Sequence, residues 1–413
     1  MKNDSTSITK DLKNILSDYI TKDAAEELIK AIETENFASG NKAIELPELG
    51  RSQVGYDPPK GRKYRLLIDK IITHCENHLS EERYSNLLLD LSQLMLFAGE
   101  MAYSLEIAQD LKSKLEWKNN LESILAETNL MISKIYWSQA YWEDSKFYIS
   151  EATRIFGFLS SKSGIAKCEN MLGTLYGEKG EFDEANIHLE NALALLNDDD
   201  DLSSIAMILT NLGIINTING NYEKAVLNYN NAVGKFEKLD DARRLSRVYH
   251  NLGMLYSQME NYDAALDEFN KCITVSMDNN YLSNCAVSYI GKAYVYTKLK
   301  NSALANAYTD KAMEIAYKIN DTVSIADIYK IKGMIQNDMD NFQLSEEFFE
   351  NSIRLNKDIE SKLNEAESSA EFGKLLKETD REDEAKQYLE SAVNFFNGLK
   401  NDNLLNGLVE RGI

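Results

Sequence analysis

Proline is scarce: the 413 residues hold three, at Pro47, Pro58 and Pro59, and none follows residue 60. Loop-rich β folds use proline as punctuation. A long proline-poor chain rich in Leu, Ala, Glu, Lys and Asn reads instead as all-helical. Cysteine is equally sparse, with Cys75, Cys168, Cys272 and Cys285 far apart and no CxxC pair. That excludes a disulfide framework and fits reduced thiols in a cytoplasmic protein. No run of about 18 apolar residues occurs, so no membrane helix is expected. The opening MKNDSTSITKDLKN lacks the apolar stretch of a secretory signal. Positive charge is in deficit, with 45 Lys and Arg against 66 Asp and Glu for a net charge of -21. Such a field repels a phosphate backbone, and the basic runs Lys60–Arg65 and Arg243, Arg244, Arg247 are too short to reverse it. No nucleic-acid partner is expected.

Enzymatic motifs are missing as well. There is no GxGxxG, P-loop or GxSxG, and His188 has no nucleophile beside it. His74 and His78 lie four apart, but HCENH is not HExxH and a third zinc ligand is lacking. Asp198–Asp201 lack the alternating oxygens and glycine of a calcium loop. The reading is therefore of no catalytic residues, no metal site and no cofactor.

What the chain does have is apolar residues at 44%, enough for a sizeable core, and a strict internal repeat. Gly173, Gly213, Gly253, Gly333 and Gly373 fall at 40-residue steps or a multiple, and the register passes through the small Ser133 and Ala293. Three residues on stand Tyr136, Tyr176, Asn216, Tyr256, Tyr296, Gln336 and Leu376. Twelve on stand Ser145, Ala185, Ala225, Ala265, Ala305, Ser345 and Ala385. Nineteen on stand Ala152, Ala192, Ala232, Cys272, Ala312, Ser352 and Ala392, with Ile149, Leu189, Tyr229, Phe269, Thr309, Phe349 and Leu389 between the two series. Small residues seven apart lie two turns along one helix face and admit a close neighbour. The turn between the helices recurs as Gly180-Glu-Phe-Asp, Gly220-Asn-Tyr-Glu, Glu260-Asn-Tyr-Asp, Lys300-Asn-Ser-Ala and Asp340-Asn-Phe-Gln. Its Gly and Asn are expected to end one helix in the left-handed region, with Asp or Asn helping to cap the next. A hairpin of this kind cannot bury its apolar face alone and must stack.

The series Leu252, Gly253, Tyr256, Ala265, Phe269, Cys272 resembles the tetratricopeptide repeat, and Leu172, Gly173, Tyr176, Ala185, Leu189, Ala192 match nearly as well. The repeat is longer by six than the family's usual unit, and no proline closes it. In that it is similar to Pins-type adaptors, kinesin light chain and the Rap/PlcR-type peptide receptors. The resemblance implies an all-α, right-handed α-solenoid of seven to eight hairpins. The expected organisation is short helices and a Pro/Gly-containing arm over 1–61, with the linker at 37–61. A helical cap and a degenerate first repeat follow over 62–125, with Gln93 in the glycine position. Seven repeats then fill 126–405, and a capping tail at 404–413 closes the chain.

In the family the first helix of each hairpin lines a concave groove. The resemblance places Asn211 and Asn251, two before the glycine, where an amide pairs with both N–H and C=O of a bound backbone. Lys167 and Arg247 six before it, Asn170 and His250 three before it, and Arg243 make a cationic spot suited to an acidic peptide. Ile214, Met254 and Tyr294 follow the small residue by one and offer apolar contact. The expected function is a non-enzymatic adaptor that holds a protein or peptide segment. The alternatives are a peptide-gated regulator of the Rap type and an accessory chain for a separate enzyme. Whether the chain forms a homo-oligomer is left open.

Overall fold

The computed structural model describes residues 4–39, 61–197 and 201–398. Most of the expected linker, the capping tail at 404–413 and the acidic residues Asp198–Asp200 lie outside the described residues. Residues 37–39 of that linker end α2, and residue 61 begins α3. Among the described residues there are 19 helices and no strand: α1 (Asp4–Tyr19), α2 (Lys22–Ser39), α3 (Gly61–Glu76), α4 (Glu81–Phe97), α5 (Met101–Leu115), α6 (Glu122–Ser138), α7 (Trp142–Phe158), α8 (Lys162–Glu178), α9 (Phe182–Ala194), α10 (Leu202–Ile218), α11 (Tyr222–Lys238), α12 (Ala242–Gln258), α13 (Tyr262–Asp278), α14 (Leu282–Lys298), α15 (Ser302–Ile319), α16 (Thr322–Asp338), α17 (Phe342–Asp358), α18 (Lys362–Glu378) and α19 (Glu382–Gly398). From α6 onward the helix starts are evenly spaced, two to each repeat. No helix among the described residues is long and apolar enough to cross a membrane.

The chain divides into two units, Met1–Met171 and Leu172–Ile413. In the first, α1 and α2 are built into the core rather than standing apart. Leu12, Leu16, Ala25 and Ile29 join Ile68, Ile71, Leu87 and Leu91 in one cluster. Polar clamps fix the entry: Tyr19 Oη donates to Asp90 at 2.5 Å, and Arg83 donates to the Asp18 and Tyr19 carbonyls at 2.9 and 2.8 Å. The first repeat-like hairpin, α4–α5, sits one residue out of the expected register. Its close-packed small position is the buried Ser92, which exchanges hydrogen bonds with Ser104, whereas Gln93 takes the neighbouring face and accepts from Lys134 at 2.6 Å. One extra residue before α6 absorbs the slip, and two serines satisfying each other replace glycine against alanine.

The second unit carries the regular hairpins. All residues of the series twelve and nineteen after the small position are buried in both units, from Ser145 and Ala152 to Ala385 and Ala392. The large residue between them meets the small one. A Cβ on Gly213 would lie 2.5 Å from Tyr229, and one on Gly253 2.6 Å from the Phe269 ring. Successive first helices pack on one another (α10 on α12, α12 on α14, α14 on α16, α16 on α18), and second helices make no comparable contact. Within this unit the first helices therefore form the inner layer.

The turns explain the missing prolines. A left-handed residue recurs with the same spacing, at Asp240, Glu260, Asn280, Lys300, Asn320, Asp340, Glu360 and Asp380. The next N–H reaches back to the carbonyl five before it, as Asn261 to Tyr256 at 2.9 Å and Asn301 to Tyr296 at 2.9 Å. Main-chain closure of this kind ends a helix without proline. The expectation for the turn is corrected in one respect: Glu260 and Lys300 adopt the left-handed conformation, while Asn261 and Asn301 are caps that accept from Ala264 N and Leu304 N at 3.4 and 3.1 Å.

Two glycines separate packing from propensity. Gly253→Ala pushes a methyl into Phe269 and should cost about 1–3 kcal/mol. A methyl on Gly234 of α11 would meet nothing within 4 Å, so Gly234→Ala should stabilise by about 1 kcal/mol. Urea denaturation of the two variants checks the opposite signs.

Candidate binding face of the second unit

The inner layer of the second unit carries the residues of interest on α10, α12 and α14. Rungs between successive first helices mark that face. Asn211 Nδ2 donates to Thr174 Oγ1 at 3.2 Å, His250 Nδ1 lies 3.2 Å from Ser288 Oγ, Asn284 Nδ2 donates to Ser246 Oγ at 2.7 Å, and Lys330 Nζ donates to Glu367 at 2.6 Å.

Helix α12 concentrates charge. Asp241 caps it, accepting from Arg244 N at 3.0 Å, and also forms an ion pair with the Arg244 guanidinium. Arg243 lies 4.8 Å over the Tyr281 ring. Arg247 is different. Its side chain is exposed, yet it forms no ion pair or hydrogen bond among the described residues. The protein crowding its guanidinium, and then Arg244, lower its pKa. His250, one turn on, packs 5.7 Å from Phe269, and burial followed by the charge of Arg247 pushes its pKa down to about 4. The imidazole is therefore neutral near neutrality, and the charge acting on it is the Arg247 guanidinium. Asn251, between them and Met254, is half-buried and makes no side-chain hydrogen bond among the described residues.

Eight of the ten residues singled out from sequence thus fall in this unit. Asn211 is held to Thr174, and Ile214 is half-buried. Met254 is 38% exposed, and Tyr294 packs against the Ile331–Phe349 core with Lys298 Nζ 5.2 Å over its ring. Lys167 and Asn170 belong to the first unit. There the Lys167 charge is met by Glu127, at 2.6 Å. Glu127 escaped the sequence reading, although it holds the same register position one repeat earlier. Also missed was the half-buried Lys330, which pairs with Asp327 at 3.3 Å and Glu367 at 2.6 Å. Burial alone would lower the Lys330 pKa, but the two carboxylates outweigh it and raise it. The Asp-x-x-Lys spacing, with a Glu one repeat after the Asp, was its signal. In the first unit His74 and His78 stack on each other at 4.3 Å.

His250 gives a pH prediction with a fixed sign. Its folded pKa lies below the unfolded value of 6.5, so the unfolded chain binds the proton first. Its share of stability is complete above about pH 6.5 and is lost as pH falls from there towards about 4. The groups facing it are Arg247 on its own helix, Cys272 of α13 and the Ser288 hydroxyl of α14. Denaturation at pH 7.5 and pH 5 should show the wild type losing on the order of 2 kcal/mol more than His250→Gln. Equal losses would contradict the assignment.

Comparison with known proteins agrees with this architecture. Residues 204–277 match the family model described as tetratricopeptide repeat. No curated protein matches the sequence. Among solved structures, a Rap protein complexed with Competence and Sporulation Factor is similar over 83% of this chain and 94% of its own, with 12% identity and a TM-score of 0.61. The apo quorum sensor NprR from B. thuringiensis is similar over 81% and 94%, with 15% identity and a TM-score of 0.57. Aspartyl phosphate phosphatase F from Bacillus subtilis is similar over 94% and 93%, with 15% identity and a TM-score of 0.56. These likenesses are of fold. The chain shares their all-helical hairpin fold, and its residues 204–277, in α10 to α13, match the tetratricopeptide repeat.

Proposed function

We propose that the protein is a non-enzymatic cytoplasmic adaptor whose inner layer of first helices holds a segment of another protein, with no nucleic-acid partner. Arg247 carries the reading. The other cations of that face have partners, Arg244 with Asp241 and Lys330 with Asp327 and Glu367, whereas Arg247 has none among the described residues. An exposed guanidinium with no partner among the described residues is ready to take a carboxylate in two parallel hydrogen bonds. The neutral His250 adds no repulsion for a cation and no competing charge for an anion. Asn251 offers a donor and an acceptor to the main chain of the same segment, and Ile214 and Met254 supply apolar contact. The ligand is an acidic peptide or an acidic stretch of a folded partner.

A second reading is a peptide-gated regulator. What favours it is the extent of the structural likeness, 83% of this chain, to a Rap protein complexed with Competence and Sporulation Factor. In that reading the helices α1 and α2, packed into the first unit's core, belong to the responding part.

Panning a displayed random peptide library on the full chain tests the proposal. Recovered peptides should carry Asp or Glu, and their affinity should fall at least tenfold on Arg247→Ala and less on Arg247→Lys, which keeps charge but loses the planar fork. Peptides without an acid, or equal binding by Arg247→Ala, would contradict it.

A further inference from the structure

In three of the seven hairpins the residue three after the small position is an aromatic ring that stacks on a second ring twelve residues further along, on the second helix, and three others keep one ring of the two. Tyr136 stacks on Tyr148 at 5.6 Å, Tyr176 on His188 at 5.2 Å and Tyr296 on Tyr308 at 5.4 Å. These ring pairs fill the space on the outer side of the first helix, beside the second helix. The α10–α11 hairpin has a ring at neither place, with Asn216 and Asn228 there instead. Asn216 folds its amide back onto its own helix, donating to the Leu212 carbonyl at 2.8 Å. The space the rings would occupy is left as a cleft of about 700 Å³ between α9 and α11, floored by α10. Its walls hold two aliphatic side chains that a soluble surface would ordinarily not expose so far, Ile187 at 56% and Leu227 at 61%.

We propose that this cleft is a docking site for an aromatic side chain, flanked by a basic residue, in a segment of a partner protein. The ring would take the place of the missing pair, lying between Ile187 and Leu227 with its edge or hydroxyl towards the amides of Asn216 and Asn228. Aromatic residues suit such a pocket because they bury a large rigid area and present a polar tip. The basic flank follows from charge. Asp183 and Glu190 line the cleft from α9, and neither pairs with a cation among the described residues. Lys224 is the one cation of the lining among the described residues, so the rim is net acidic within a chain of net charge -21. This site lies on the outer side of α10, away from the rungs that mark the inner face, and it does not depend on the Arg247 reading.

The test uses the full chain with isoleucine and leucine methyls labelled for NMR. The probe is the peptide Ac-Lys-Tyr-Lys-NH2, with Ac-Lys-Ala-Lys-NH2 and Ac-Glu-Tyr-Glu-NH2 as controls. The tyrosine–lysine peptide should shift the Ile187, Leu212 and Leu227 methyls saturably, and each control should bind at least tenfold more weakly. Asn216→Tyr restores the ring found in other hairpins and closes the cleft, so it should weaken the probe at least tenfold. Should that variant fail to fold, Leu227→Ser, at an exposed position, reads the same site with a several-fold loss. Arg247→Ala should leave the titration unchanged, which separates this proposal from the inner-face one. Equal binding of the alanine peptide, shifts confined to methyls elsewhere, or undiminished binding by folded Asn216→Tyr or Leu227→Ser would each overturn it.

Discussion

One steric constraint underlies the fold: a side chain sixteen residues after a small position must lie where that position's own Cβ would be. Tyr229 against Gly213, Phe269 against Gly253 and Phe349 against Gly333 show it in its full form, with a Cβ brought to between 2.5 and 2.8 Å of the ring. Where Ala293 stands in place of the glycine, the partner sixteen on is the smaller Thr309. Because the pair recurs once in every repeat, each hairpin closes in the same way and offers the same faces to its neighbours.

The identical closure has a consequence for polar groups. First helices pack on first helices, so residues six, three and two before the small position meet the first helix of an adjoining hairpin. Most are satisfied there: Lys330 by Glu367, Asn211 by Thr174, His250 by Ser288. Polar side chains at these positions are consequently structural in the first instance. A functional reading is carried by the exceptions, and Arg247 is one: its register positions one repeat before and after hold Met207 and Val287 rather than an acid. The outer cleft follows the same logic, for Asn216 and Asn228 stand where other hairpins place rings.

The repeat was legible because its cause is steric and needs the same residue sizes at the same spacing each time. The first hairpin was misread by one residue because Ser92 and Ser104 solve the close approach by hydrogen bonding, a solution that glycine spacing does not reveal. The left-handed turn residues were equally hidden, since Glu260 and Lys300 carry no propensity for that conformation and are held there by the helix ends on both sides. Site residues were half legible. Register placed Arg247 and Asn251 on the first-helix face, but register alone could not tell the neutralised Lys167 from the unpaired Arg247. That distinction rests on distances between hairpins, 2.6 Å for Lys167 to Glu127 and no partner for Arg247 among the described residues. Asn216 was visible as a departure from tyrosine. Its meaning needed the volume left behind.

The central claim is that the inner layer of the second unit holds a partner segment. Hydrogen–deuterium exchange on the full chain, with and without a saturating peptide selected on it, tests this most directly. The account predicts slowed exchange in α10, α12 and α14 around residues 207–214, 247–254 and 287–294, with α11, α13 and α15 unchanged. Protection confined to the second helices, or to α1–α5, would contradict it.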